Sequence, residues 1–389
     1  MMVVSKSNAL HFAGVGLKDT TSATTEDYTY PGVFVKFTEF SGNKEIETET
    51  DEGHTGRRTL NLGENRSKAS ASPEMTDNFR LNQGLEDFCY YALGKMVETT
   101  QTGTGSTATT FKQVITPTTT GDLPIAHILH GFNDDTQGCR IYKNAVANEI
   151  TFTMNSEEKP TVKCAFVSDY PTYGDDSSII SPTFGAYLPK ALKAGSLSVY
   201  FKPFIDDVVA TIDESTDRIE CLTESEVSVN NNIEASTCAG TEFGEANKDV
   251  KNLEVSGNMT LRYVTQDIER LFATGSYTGE KVSEESIYGA LRFKYVTSYT
   301  ITEEVDDETV TKTVPLLFQI DLPNACISNA ESSESGDDVK TITMELSATE
   351  ELGNIGGDLI KITCQSAMQF MTGDNVTTHK CVDVPDTSS

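Results

Sequence analysis

Tryptophan is absent from the 389-residue chain, and histidine occurs only five times. Without tryptophan, the aromatic platform that usually lines a carbohydrate-cleaving cleft is missing, which weakens a reading as a β-sandwich glycosidase. Basic residues are scarce: 30 Lys and Arg stand against 59 Asp and Glu, for a formal net charge of −29. A surface that neutralises phosphates needs clustered cations, so the balance argues against stable binding to nucleic acid or to an anionic membrane. No apolar run approaches the length of a membrane span. The first residues, Met1-Met2-Val3-Val4-Ser5-Lys6, place no basic segment before a long apolar core, so no signal peptide is expected.

The eight cysteines stand singly, at Cys89, Cys139, Cys164, Cys221, Cys238, Cys326, Cys364 and Cys381, with no Cys-x-x-Cys pair. A chain this long does not need disulfide staples, and Cys89, Cys164 and Cys364 fall on apolar faces of predicted elements. They read as small buried hydrophobes in a protein folded under reducing conditions.

Motifs that carry chemistry are missing too. His127-Ile128-Leu129-His130 lies in a strand-like run without the glutamate of a zinc-protease helix. Asp206, Asp207, Asp213, Glu214 and Asp217 lack the glycine and terminal glutamate of a calcium loop and read as a solvated loop. The Gly14-Val15-Gly16 and Gly103-Thr104-Gly105-Ser106 segments lack the lysine and strand–helix context of a phosphate cradle, and no Gly-x-Ser-x-Gly elbow occurs. Sequons at Asn65, Asn258 and Asn375 matter only on a secretory route. No catalytic residue, metal ligand or cofactor site is therefore assigned, and the chain is read as a non-enzyme.

What is present is alternation. Residues up to about 31 are polar and read as an arm or irregular lead-in. A strand is predicted at 32–37 and another at 67–72, followed by a helix over 83–94 whose Leu85, Phe88, Cys89, Ala92 and Leu93 form one stripe ended by Gly94. The Thr- and Gly-rich segment 99–120 reads as an exposed loop or long hairpin unable to build core. Residues 148–155 alternate, turn at 156–160 and return at 161–167, which is a hairpin.

The same order follows again. A strand at 195–201 answers 32–37, and the strand and helix over 253–275 answer 67–94. The apolar run 314–322 answers 123–129, and a hairpin of 341–346 with 359–364 answers 149–167. The offset of about 160 to 190 residues is that of a repeated domain, not a solenoid unit. The predicted units are residues 1–188 and 189–389.

The most distinctive stretch is 220–275. Ser225-Glu226-Val227-Ser228-Val229 alternates into Asn230-Asn231-Asn232-Ile233-Glu234, a strand with its exit turn. Val255-Ser256-Gly257-Asn258-Met259-Thr260-Leu261 is a second strand, and Thr265 caps a short helix carrying Ile268, Leu271 and Phe272, closed by Gly275. This order resembles the tail tube proteins of long-tailed bacteriophages. The resemblance implies a mainly β chain of two β-sandwich tube domains, each with a short flanking helix. Such domains join edge to edge into a ring whose inner sheets close as a barrel, and rings stack into a tube. It implies a trimer with six units per ring, or a hexamer with one domain outside the barrel.

It further implies partners such as the tape measure and terminator proteins, a place in the virion tail after assembly in the host cytoplasm, and DNA only as transient cargo, with no membrane contact. Channel-facing positions would include Glu149, Thr151, Thr153, Glu226, Ser228, Thr341, Thr343 and Glu345, with Lys163 and Lys361 as basic exceptions. An acidic wall repels phosphates over about 8 Å at physiological salt. A secreted or surface β-domain for adhesion or binding is the alternative, and a β-sandwich enzyme a more distant one.

Overall fold

The computed structural model describes residues 11–17, 33–35, 37–52, 61–81, 85–119, 123–132, 139–174, 191–204, 211–236, 247–262, 266–274, 276, 278–281, 287–305, 308–333, 340–349 and 358–367. The chain is mainly β. In order, the first elements are β1 (His11–Leu17), β2 (Val33–Val35), β3 (Glu39–Glu52), β4 (Asn61–Asn78), α1 (Leu85–Leu93), β5 (Gly94–Gln101), β6 (Thr110–Pro117), β7 (Ala126–Phe132), β8 (Cys139–Asn155), β9 (Thr161–Val167) and β10 (Thr172–Gly174). Then follow β11 (Leu197–Pro203), β12 (Arg218–Ile219), β13 (Leu222–Asn230), β14 (Glu234–Ser236), β15 (Asn247–Asp249), β16 (Glu254–Arg262), α2 (Gln266–Thr274), β17 (Ile287–Val305), β18 (Glu308–Ser333), β19 (Thr341–Ala348) and β20 (Lys361–Ser366).

Two strands, β8 and β18, each serve two layers. The C-terminal part of β8 pairs with β9, which pairs with β4 and then β3, giving the antiparallel array β3–β4–β9–β8. Its N-terminal part belongs to the array β2–β1–β7–β8–β10. β18 behaves in the same way, contributing to β13–β16–β19–β18 and to β12–β11–β17–β18–β20. A bulge marks the change of layer in each: between Ala147 and Glu149 in β8, and between Ile327 and Asn329 in β18. A bulge kinks a strand and raises its twist, which lets it leave one sheet for another. No closed barrel occurs among the described residues.

An asparagine side chain is bonded beside each bulge. Asn144 Nδ2 donates to Asp169 Oδ2 at 2.6 Å, and Asn324 Nδ2 to Thr349 Oγ1 at 2.7 Å, at matching places beside the two bulges. Each array is followed by its helix at the same point, after β4 and after β16. The boundary expected between residues 188 and 189 lies outside the described residues.

Several expectations need correcting. The lead-in before residue 31 contains β1, which pairs with β7 along its whole length, as β11 pairs with β17. Residues 341–346 and 359–364 do not form a hairpin: β19 lies between β16 and β18, and β20 between β18 and β6. The run 314–322 is not a separate strand but the middle of β18. The Thr-rich segment does contribute to the core, because β5 and β6 form a hairpin that places Ala108 and Ile115 among buried side chains. That hairpin has no counterpart after α2 among the described residues, and it adds β6 to the edge of β20. The helix prediction holds: α1 ends where expected, at Gly94, whose φ of +90° is open to glycine at little cost.

Aromatic rings bind the layers. Phe40 of β3 stacks on His130 of β7 at 4.0 Å, and Phe152 of β8 meets Phe318 of β18 at 5.7 Å. His130 is thus a buried structural histidine. Cys89, Cys164 and Cys364 are buried, as their apolar positions imply, and burial first, then their mutual proximity, pushes the Cys164 and Cys364 thiols well up.

Beside them, at the start of α1, Glu86 and Asp87 are both buried. Burial, and then the charge of Glu86, raise the Asp87 carboxyl to about 7. A folded-state pKa above the unfolded value means the folded protein holds its proton more tightly. The stabilising effect is therefore complete below about pH 4 and is lost as pH rises to 7, by at most about 4 kcal/mol. Asp87→Asn is expected to raise the melting temperature at pH 7.5 and to leave it nearly unchanged at pH 4, as followed by thermal denaturation across that range.

Candidate functional site: the polar face of the joined sheet

The two four-stranded arrays are joined. β13 pairs with β8 over Glu224↔Asn155 to Asn230↔Glu149, giving one antiparallel sheet in the order β3–β4–β9–β8–β13–β16–β19–β18. Alternation decides its two faces. Ile150, Phe152, Met154, Val227, Val229, Ile342, Met344 and Leu346 point into the core, so their neighbours point away from it. All eight sequence-predicted positions fall on that second face: Glu149, Thr151, Thr153, Glu226, Ser228, Thr341, Thr343 and Glu345.

The registers align them in rows across the strands. One row runs Thr161–Thr153–Glu226–Asn258–Glu345–Asn329, and the next Lys163–Thr151–Ser228–Ser256–Ser347. Short polar contacts hold the rows. Ser228 Oγ donates to Glu149 Oε1 at 2.8 Å, the Thr151 and Ser228 hydroxyls lie 3.3 Å apart, and those of Thr260 and Thr343 lie 3.1 Å apart. Gly257 lets the strands approach here, because a Cβ would sit 2.1 Å from the Glu226 carbonyl oxygen.

The face is acidic. Glu39, Glu45, Glu74, Glu149, Glu224, Glu226, Glu254 and Glu345 lie on it, against Lys163 and Arg262 among the strand positions whose side chains are described. Lys163 Nζ pairs with Glu74 at 3.0 Å, and that hydrogen bond, reinforced by the charges of Glu74, Glu149 and Glu226, holds its pKa above the usual lysine value. Lys361, expected as a second exception, is on the other layer, beside Asp321. Sequence alternation gives a residue's face but not which sheet its strand joins.

The Asn run does more than turn the chain. Asn231, 3% exposed, donates from Nδ2 to the carbonyls of Ala92 and Ala147, both at 2.9 Å, so it ties β13 to the end of α1 and to the β8 bulge. Asn148 takes part as well, its side chain accepting from the Ile233 amide at 2.8 Å. Asn231→Ala would leave two buried carbonyls unsatisfied and is expected to cost about 1–3 kcal/mol in denaturant unfolding. An open depression of about 490 Å³ lies alongside, lined by Asn148, Asn230, Asn232, Ile233, Glu234, Lys251 and Asn252. Neither it nor the joint was identified from sequence, although the Asn run marked the place.

The acidic loop is not simply solvated. Glu214 accepts from Arg292 at 3.0 Å and Lys294 at 2.7 Å, and Asp217 pairs with Lys202 at 3.2 Å, docking the loop on the outer layer. Asp206 and Asp207 lie outside the described residues. Among the described residues no three His, Cys, Asp or Glu side chains are placed to share a metal ion, and no helix is long and apolar enough to cross a membrane. No protein-family model matches the chain, and no curated protein is significantly similar to it in sequence.

Proposed function

We propose that this chain is a structural subunit of a virion tail tube, in which copies join side by side into rings and rings stack around a channel that passes DNA. The observation that carries this reading is the β8–β13 joint. It fuses two arrays of one connectivity into a continuous sheet and leaves an unpaired edge at each end, on β3 and on residues 328–333 of β18, among the described residues. A sheet that repeats its own unit and keeps both edges open is suited to continue in further copies, and closure into a ring is what removes the edges. Three chains, each a duplicated unit, supply six units.

The acidic face then lines the channel. Its carboxylates repel phosphates, and among the described side chains its rows offer no cationic foothold beyond Lys163 and Arg262, of which Lys163 is held by Glu74. The chain performs no chemistry in this role. Mass photometry of the purified protein is expected to give masses in multiples of three chains. A monomer at every protein and salt concentration would overturn the reading.

A further inference from the structure

We infer that the joint between two copies repeats the joint inside the chain, with β3 of one copy set against residues 329–333 of β18 in the next, and with Ile46 as its buried contact. This rests on the tube reading above. The two bulges and the two asparagine bonds fix which residues of the arrays correspond. Residues 147 and 149 of β8 answer to 327 and 329 of β18, and tracing the registers through β9, β4, β19 and β16 makes Phe40 answer to Ser225.

The internal register Ser228↔Thr151 therefore becomes Asn43↔Glu331 between copies, and Asn230↔Glu149 becomes Glu45↔Asn329. Ser41 falls opposite Ser333. No two carboxylates are opposed, as none is in the internal joint.

Ile46 stands where Asn231 stands. Among the described residues it is one of the few large hydrophobic side chains left exposed, at 36%. In the internal joint Asn231 reaches the Ala147 carbonyl beside the bulge and the end of α1. Between copies, Ile46 meets the counterparts, Ile327 and the last turn of α2, with an apolar contact in place of two hydrogen bonds. The second lock also changes. Inside the chain, Lys248 at the β13–β16 connection pairs with buried Asp169, but the counterpart of Asp169 is Thr349. A ring thus holds two kinds of joint, and the one between copies lacks the ion pair.

Cysteines at positions 43 and 331 test the register. They replace the counterparts of hydroxyls 3.3 Å apart, and Asn43 is exposed, so the fold is retained. Mild oxidation of Asn43→Cys/Glu331→Cys should give covalent ladders ending at three chains, absent from wild type and from Ser41→Cys/Asn329→Cys, which is out of register. Ile46→Lys should raise the protein concentration for half-assembly at least about tenfold with an unchanged melting temperature. Wild-type assemblies in multiples of three without that cross-link overturn the register while leaving the tube reading intact. Wild type that never assembles overturns both.

Discussion

Lys248→Met is expected to destabilise the chain by about 3–5 kcal/mol, a larger loss than any substitution on the polar face. Lys248 and Asp169 are 8% and 9% exposed at the side chain, with Nζ and Oδ1 2.5 Å apart. Asp169 also accepts from Asn144, which has a φ of 51° where the β7–β8 register shifts. Removing the ammonium takes the cation away from a carboxylate that stays out of water, and that desolvation exceeds what the pair itself contributes. Lys248→Met/Asp169→Asn should recover most of the loss, because a neutral amide keeps the Asn144 contact. Urea unfolding of the three variants checks this. If the single and double variants fall equally, the cost is packing of the lysine stem and not a stranded charge.

Phe79→Ala is expected to cost a similar amount, about 3–5 kcal/mol, for a different reason. Phe79 leaves the end of β4 and is fully buried, with its ring 5.9 Å from Phe152, 5.6 Å from Tyr295 and 4.9 Å from Phe318, all near edge-to-face. Its backbone is fixed on both sides, the amide donating to Pro160 and the carbonyl accepting from Leu192. Neighbours held this firmly cannot collapse into the space, so the cavity persists and the full penalty applies. Because Phe152 belongs to β8 and Tyr295 and Phe318 to β17 and β18, the loss is shared by both arrays. The variant should still unfold in one transition. Two separated transitions would mean that the arrays have independent cores.

How much of this was legible in sequence depends on what each pattern encodes. Thr151, Phe152, Thr153 and Met154 alternate because one side of β8 is core and the other is not, so both the strand and its outward residues can be read directly. Leu85, Phe88, Cys89 and Ala92 mark α1 for the same reason at the helical period.

Pairing is another matter. Ile360, Ile362 and Cys364 identify β20 as a strand, but nothing in their spacing tells β19 from β6 or β18 as a neighbour, so proximity in sequence suggested the wrong partner. β1 was hidden because His11-Phe12-Ala13-Gly14 lies in a polar segment and alternates weakly. The β5–β6 hairpin was hidden because threonine-rich composition obscured Ala108 and Ile115, which lie against β18 and β20, respectively, far along the chain.

The polar face shows both sides of this. Its residues are individually ordinary for a solvated sheet, and alternation placed all eight correctly with respect to the core. That they form one surface follows only from β8 meeting β13, a contact between strands far apart in sequence, as Ser228 and Thr151 are at 77 residues. The Asn run was the local sign of it, since Asn231 and Asn232 donate to carbonyls from other parts of the chain and Asn230 accepts from the Asn232 amide.

Cryo-electron microscopy of the purified full-length protein tests the account most directly. It predicts rings or hollow tubes of three chains per layer, with Glu226, Glu345 and Glu149 turned to the lumen and β3 of each chain beside β18 of the next. Rings with that acidic face turned outward, or particles that remain single chains under all conditions, would contradict it.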